Sequence, residues 1–211
     1  MSTATVQKIR EVNNRQLKAW YSWQLHVFAN VFVLLAAAAF AISKLGPLSI
    51  SDAAILVPAV VLWSVIEYAI HRFVLHGQFF SRLKFHREHS VFHHGYFTDR
   101  EMSLERPVDV NRILLFTIDL VTVILLDALI SFSLSLVIGQ KNGLLFFVAG
   151  VIYIALYETV HALCHLEFSR GFKVLSPFIR HHEKHHDPKV MARSNFAIVF
   201  PFVDSLFLTK E

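Results

Sequence analysis

With 211 residues, of which 55% are hydrophobic and only 17% are charged, the chain is too apolar for an ordinary water-soluble domain. Its net charge of +4 fits membrane topology and attraction to anionic lipid better than nucleic-acid binding. The single cysteine, Cys164, excludes an intrachain disulfide framework. An integral membrane protein is therefore the first hypothesis.

Four long apolar stretches follow one another along the chain. Each has at least 18 residues, and at about 1.5 Å per residue a helix of that length crosses a hydrocarbon layer of about 30 Å. No cleavage-site pattern follows the first stretch, so we expect it to remain as an anchor. The sequence predicts transmembrane helices at approximately residues 25–42, 53–70, 113–138 and 144–164.

The distribution of basic residues predicts the orientation. Of the 20 Lys and Arg residues, only Lys44 and Lys141 fall in the two short connections that join spans one and two and spans three and four. Because short loops rich in Lys and Arg stay cytoplasmic, we expect both termini on the cytoplasmic side. The predicted fold is all-α, a single membrane-embedded domain over residues 1–211 with a cytoplasmic, histidine-rich helical cap made of 71–112 and 166–211. This topology suits an endoplasmic reticulum membrane or a bacterial inner membrane.

Histidine is concentrated in two windows of the sequence. Twelve of the 13 histidines lie in residues 71–94 and 161–186, and each window begins where an even-numbered span ends. The expected topology therefore places both windows on one side of the membrane. Within them the histidines are mostly three or four residues apart, which puts their side chains on one face of a helix. The candidate metal ligands are His71, His76, His86, His89, His93, His94, His161, His165, His182, His185 and His186.

His71 and His76 depart from this spacing, because five residues turn through about 140° in an ideal α-helix. We expect Gly77 to end the helix and to let His76 turn back toward His71. His26, outside both windows, is expected to be an interfacial side chain. A solvated polar cap or a pH sensor is the alternative for the two windows, but twelve histidines at ligand spacing favour metal binding.

Eleven or twelve imidazoles are enough to surround two metal ions. A structural zinc site needs only four ligands. A carboxylate-rich di-iron bundle needs two Glu-x-x-His motifs, which the chain has at Glu158–His161 and Glu183–His186, and two further glutamates on membrane-free helices. The two windows instead hold twelve histidines and three glutamates. Spacing alone leaves Fe, Zn, Cu and Ni open. Glu67 and Glu158 are candidates to accept a hydrogen bond from the second ring nitrogen of a ligand. They are equally well explained as acids at a helix end.

Four motifs resemble, in order and placement, the histidine boxes of the membrane fatty acid hydroxylase and sterol desaturase superfamily. The Glu-Tyr pair before the first box is most similar to the fatty acid 2-hydroxylases, and NFAIVFPFVDSLFLT (195–209) is similar to the segment that closes many members. The resemblance covers roughly residues 53–209. The motifs are WSVIEYAIHRFVLH (63–76), HREHSVFHH (86–94), YETVHALCH (157–165) and HHEKHH (181–186).

The second box departs from the pattern of the superfamily. Its members usually carry H-x-x-H-H, whose first histidine would fall at Ser90 if His93 and His94 are the last two. Either His89, one place away, or His86, a turn earlier, is the substitute. The sequence does not decide between them.

The resemblance implies a di-iron oxygenase that uses O2 as a co-substrate and acts on a lipid. We expect hydroxylation or desaturation of a fatty acyl chain, with sterol or carotenoid oxidation as the alternative within the superfamily. Iron suits this chemistry because zinc has no redox state with which to activate O2. The sequence has no haem motif and no cysteine cluster, so a separate cytochrome b5-like or ferredoxin-like protein is expected to supply electrons. Its docking surface would be the basic residues Arg82, Lys84, Arg87 and Arg180.

A histidine-rich membrane metal transporter is the alternative from another class. It would use the histidines as a loading site and Asp119 and Asp127 of the third span as a path, since acids within a membrane are functional candidates. It also predicts a polar stripe across several spans, which spans one and four largely lack. A relative that keeps the metal without turnover is a third reading.

Overall fold

The computed structural model describes residues 3–17 and 20–211, so Lys18, one of the basic residues behind the expected orientation, lies outside it. The described residues contain no β-strand, only an isolated bridge between Thr98 and Glu101. This confirms the all-α prediction. The main α-helices are α1 (Thr3–Gln16), α2 (Trp23–Leu45), α3 (Ala53–Ala69), α4 (Thr117–Ile138), α5 (Gln140–Cys164), α6 (Ser176–His185) and α7 (Phe202–Leu206).

Shorter helical segments join these helices. Two of them are π-helical, Ile70–Leu75 directly after α3 and Arg87–His93. The remainder are single turns or short 3₁₀ segments at Ile50–Asp52, Gln78–Phe80, Lys84–His86, His94–Tyr96, Pro107–Arg112 and Glu167–Gly171.

Four helical stretches are long and apolar enough to cross a membrane, and each encloses one of the predicted spans. The protein is therefore a multi-pass membrane protein. The side of the membrane on which the termini and the histidines lie stays a prediction. The four stretches are Trp23–Leu45, Ile50–Leu75, Pro107–Ile138 and Gln140–Cys164.

The chain divides into two compact units, and the expected single domain stays a prediction. The span unit comprises Gln24–Ser64 and Leu115–Glu158. Its core is formed by apolar side chains of α2, α4 and α5, while many large apolar residues of the same helices are exposed, as lipid-facing surfaces require. The core residues are Ala41, Leu45, Leu120, Ile124, Leu145, Phe147, Val148, Val151 and Ile154.

Asp127, one of the two acids of the third predicted span, is completely buried in the core of the span unit. Ser131 donates a hydrogen bond to its Oδ1 atom over 3.0 Å. A Cβ atom placed on Gly150 would lie 2.3 Å from its Oδ2 atom, so the carboxyl group packs against α5 at a residue that must lack a side chain.

The histidine unit comprises Met1–Trp23, Val65–Leu114 and Thr159–Glu211, as far as these residues are described. It contains all twelve histidines of the two windows. Two apolar clusters stabilise it, one around Tyr68 and Phe196 and one around Tyr96 and Phe97. One phenylalanine of each cluster contacts a histidine ring: Phe196 contacts His71, and Phe97 contacts His165.

Candidate metal centre

Nine histidines of the histidine unit form two compact groups. Within each group the ring nitrogens that point inward all lie within 4.8 Å of one another. Every one of the nine side chains is at most 8% exposed. The first group is His71, His76, His89, His94 and His185, and the second group is His93, His165, His182 and His186.

A π-helical turn brings the first box together. The backbone N–H of His76 donates to the carbonyl of His71 over 3.1 Å, which is the five-residue hydrogen bond of a π-helix. Residues five apart therefore lie one above the other, and the 140° separation of an α-helix does not arise. Gly77 does end the helix, as predicted, but the convergence comes from the π-turn. A Cβ atom on Gly77 would lie 1.9 Å from the carbonyl oxygen of Phe73, so only glycine fits there.

A second π-turn divides the second box between the two groups. The backbone N–H of His94 donates to the carbonyl of His89, again five residues back, so these two rings share the first group. His93 faces the second group instead. The π-turn absorbs one extra residue and gives His89 the place that H-x-x-H-H would give to Ser90. The structure thereby favours His89 over His86.

The third and fourth boxes complete both groups. His165 directly follows α5 and joins the second group. His182 lies on α6 and His186 directly follows this helix, so the two are one turn apart, and both face the second group. His185, the last residue of α6, faces the first group. One short helix therefore supplies ligands to both positions.

Backbone carbonyl groups fix the orientation of five of the nine rings. A carbonyl oxygen only accepts hydrogen bonds, so the ring nitrogen beside it must carry the proton and leave a lone pair on Nε2. Each of these contacts joins Nδ1 of a histidine to one carbonyl oxygen. The pairs are His71–Phe196, His93–Arg112 (2.6 Å), His165–Met102 (2.8 Å), His185–Ser194 (3.0 Å) and His186–Phe97 (2.8 Å).

This assignment leaves lone pairs facing each other. The Nε2 atoms of His93 and His186 lie 3.1 Å apart, and both rings have committed their proton to a carbonyl group. Two unprotonated nitrogens at that distance in a buried site repel each other, and a bound cation removes the repulsion. The donor set therefore fits metal ions, and the protein is able to bind metal at these histidines.

Burial also keeps the rings neutral. Loss of solvation lowers the pKa of His165 to about 4, although its hydrogen bond to Met102 acts in the opposite direction. Desolvation, reinforced by neighbouring histidines, lowers the pKa of His76 and of His89 well below the ordinary value. Neutral imidazole is the form that binds metal, so these ligands need lose no proton first.

Two predicted ligands lie outside the two groups. The Nε2 atom of His161 is 3.2 Å from that of His93, so His161 borders the second group. His86 belongs to neither group, and its buried Nδ1 has no hydrogen-bond partner among the described residues. His181, next to His182 in sequence, donates from Nε2 to Asp204 over 3.1 Å. His26 bonds the carbonyl oxygen of Leu115 in the span unit.

Each of the two glutamates accepts a hydrogen bond from a backbone N–H group. His71 gives its Nδ1 proton to Phe196, and Glu67 accepts from the backbone N–H of Ile198 over 2.7 Å, two residues further along. Glu67 thus binds the backbone segment that holds this ring. Glu158 accepts from the backbone N–H of Leu115 over 3.2 Å in the span unit. A role for Glu67 or for Glu158 toward a ligand ring stays a prediction.

Two residues that orient the site were not singled out from the sequence. Ser90 donates to the carbonyl oxygen of Leu75, and its Oγ atom lies 3.1 Å from Nδ1 of His76, which leaves the Nε2 lone pair of His76 facing inward. Its signal was its place in the second box. Asp204 accepts hydrogen bonds from the backbone beside Phe196. Its signal was a lone acid in the apolar tail 195–209.

Comparison with known proteins identifies a family that the chain matches. The sequence model of the fatty acid hydroxylase family matches residues 56–209, which is more than half of the chain and includes every histidine of both groups. Searches of curated proteins and of solved structures gave no significant match.

Proposed function

Because the chain belongs to the fatty acid hydroxylase family, we propose that it is a membrane di-iron oxygenase that hydroxylates, or desaturates, a lipid. The proposed substrate is a fatty acyl chain, with C2 as the position of hydroxylation, and O2 is the co-substrate. The observation that carries the proposal is the pair of buried histidine groups with inward lone pairs. A sterol or a carotenoid is the alternative substrate in this superfamily.

The two groups would hold one iron ion each. Iron bound there supplies the redox chemistry that activates O2 for reaction with a C–H bond, which zinc does not supply. The protein's own residues orient the ligands and keep them in the form that binds metal. Carbonyl groups hold the Nδ1 protons, so that the rings cannot exchange tautomers, and burial excludes water and keeps the imidazoles neutral. His161 is the candidate for an additional ligand beside the second group.

A separate protein would supply the electrons. The basic residues proposed for its docking, Arg82, Lys84, Arg87 and Arg180, are all exposed in the structure. Exposed positive charge speeds association with an acidic partner and makes it sensitive to salt. This supports an acidic cytochrome b5-like or ferredoxin-like donor.

The transporter alternative has less support. A transporter must release its metal, whereas these rings are buried and five of them are fixed by backbone carbonyl groups. Asp127, proposed as part of a path, is buried in the span unit and bonded to Ser131. Metal flux into proteoliposomes would decide for the transporter.

Metal analysis of protein purified from iron-supplied cells tests the proposal. We expect two irons per chain with a Mössbauer spectrum of coupled ions, and an oxygen atom from ¹⁸O₂ in a lipid product detected by mass spectrometry. A variant with His165→Ala is the matched control, since it removes one ligand of the second group only. Zinc alone after iron-replete expression, with no iron uptake on reconstitution, would contradict the proposal.

A further inference from the structure

The segment 194–196, where the C-terminal tail begins, presents two carbonyl groups that orient the first histidine group. His185 donates its Nδ1 proton to Ser194, and His71 donates its Nδ1 proton to Phe196. Asn195 between them has a φ of 58°, in the left-handed region that residues other than glycine seldom adopt. The backbone is therefore held in an uncommon conformation at the point where it meets the rings.

Four consecutive backbone N–H groups of this segment are bound. Asn195 donates to the carbonyl oxygen of Thr209 over 2.9 Å, and Ile198 donates to Glu67 over 2.7 Å. The two between them donate to one carboxylate: Phe196 to Oδ1 of Asp204 over 2.8 Å and Ala197 to Oδ2 over 2.7 Å. Asp204 thus holds the centre of the segment.

Asp204 is fully buried, and each of its oxygens accepts a second hydrogen bond. The Oγ1 atom of Thr209 donates to Oδ1 over 2.7 Å, and Nε2 of His181 lies 3.1 Å from Oδ2. A buried carboxylate with four donors is well compensated and strongly localised. It is therefore a rigid anchor for the backbone that it binds.

The contact with Ala197 reaches the metal group through one rigid peptide plane. The N–H of Ala197 and the C=O of Phe196 belong to the same planar peptide group. Asp204 binds one edge of this plane, and His71 binds the other edge. A carboxylate that accepts from the N–H polarises the peptide and strengthens its carbonyl as an acceptor. The two hydrogen bonds that link Asp204 to His71 through this peptide group resemble the carboxylate–histidine pairs of metal sites, with a peptide group inserted between carboxylate and ring.

We propose that Asp204 is the positioning residue of the first metal position, and that it acts through the Phe196–Ala197 peptide on the orientation and basicity of His71. The inference rests on the proposed function, because it presumes metal in both groups. It assigns to the tail 195–209 a role in one metal position and not in the other. Carbonyl groups outside this tail, those of Phe97, Met102 and Arg112, serve the second group.

The test combines Asp204→Asn with His165→Ala. Asparagine keeps the shape of the side chain, but its amide nitrogen cannot accept the N–H that one carboxylate oxygen accepts now. We expect Asp204→Asn to bind metal about 10–100-fold more weakly at the first position. At a chelator concentration that just leaves two ions per chain in the unaltered protein, elemental analysis should then give one ion in either single variant and none in the double variant. Zn²⁺ titration of the metal-free proteins against a chelator measures the affinity without turnover.

Thr209→Val is the matched control. It removes one donor to Asp204 but leaves the bonds to Phe196 and Ala197, so both ions should remain. If Asp204→Asn does not fold, as judged by helix content, Asp204→Glu keeps the charge, displaces the oxygens and should weaken the same position selectively.

Three results would overturn the inference. They are unchanged Zn²⁺ affinity in the folded Asp204 variant, equal loss of metal from both positions, and the same loss in Thr209→Val. An unaltered protein that binds no metal would instead refute the proposed function itself.

Discussion

The two histidine groups share two stretches of chain, but different backbone segments orient their rings. Both take rings from the second box and from α6; the first adds His71 and His76, and the second adds His165. Carbonyl groups of Ser194, just before the tail, and of Phe196, within it, orient rings of the first group. Carbonyl groups between residues 97 and 112 orient rings of the second group.

This difference indicates that the two histidine groups are separately supported. We expect a substitution in the tail to affect the first group and a substitution in the segment 97–112 to affect the second group. Only the second box and α6 are shared, and there neighbouring residues such as His93 and His94 face different groups. Variants can therefore remove one position and leave the other.

The largest expected effect comes from two substitutions on α6. His185→Ala removes a ligand of the first group, and His182→Ala, one turn away, removes a ligand of the second. Each should lose one of two ions, and both should lose lipid oxidation to background, because the proposed chemistry needs both positions. Metal analysis and product mass spectrometry measure this.

Two histidines outside the groups are the controls for these variants. His26→Ala and His86→Ala should keep both ions, since neither side chain belongs to a group. Full metal content in His185→Ala or His182→Ala would contradict the assignment of that ligand. Loss of an ion in His86→Ala would restore His86 as a ligand.

The sequence predicted the four spans and the two histidine-rich windows, but not which histidine belongs to which group. Apolar length is a local property, so each predicted span lies inside an observed one. The division of His93 from His94 depends on a π-turn, which a spacing analysis based on 3.6 residues per turn does not contain. The sequence could not predict that the carbonyl groups of Phe196 and Met102 orient histidine rings. Every residue has a carbonyl group, and only the fold determines which of them lies beside a ring.

A smaller but selective effect is expected at the π-turn of the first box. In Gly77→Ala the new Cβ would meet the carbonyl oxygen of Phe73, which belongs to the backbone and cannot move aside cheaply. We expect a loss of about 1–3 kcal/mol in the free energy of unfolding and weaker metal binding by the first group. Thermal unfolding and Zn²⁺ titration measure the two effects.

Gly171→Ala is the control for this prediction, because nothing lies within 4 Å of its Cβ position. It should leave unfolding and both metal positions unchanged. Equal behaviour of the two alanine variants would mean that the close approach at Gly77 does not support the first box.

Ser90→Ala should have a milder effect on the same group. It removes the hydroxyl group that lies 3.1 Å from Nδ1 of His76, so the ring loses a fixed tautomer but keeps its place. Loss of such a partner costs about 10-fold in metal affinity. Ser176→Ala removes an exposed hydroxyl group that contacts Arg180 and should cost nothing. A Ser90→Ala protein with unchanged Zn²⁺ affinity would show that His76 needs no such partner.

The smallest expected effect concerns the supply of electrons, and it bears on which group lies closer to the donor. Three of the four basic docking candidates, Arg82, Lys84 and Arg87, precede His89 of the first group in sequence, and all are exposed. Lys84→Glu should raise the donor concentration needed for half-maximal turnover about two- to fivefold, the effect of about 0.5–1 kcal/mol at an exposed ion pair. Added salt should weaken donor binding to the unaltered protein and narrow this difference.

Lys189→Glu is the matched control, since it reverses an exposed charge outside the proposed docking residues. Metal content should be the same in both variants, because neither side chain belongs to a histidine group. An effect limited to Lys84 would place electron entry beside the first group. Equal effects at both lysines, or turnover that does not depend on salt, would mean that the donor docks at another surface. Electrons would then not enter beside the first group.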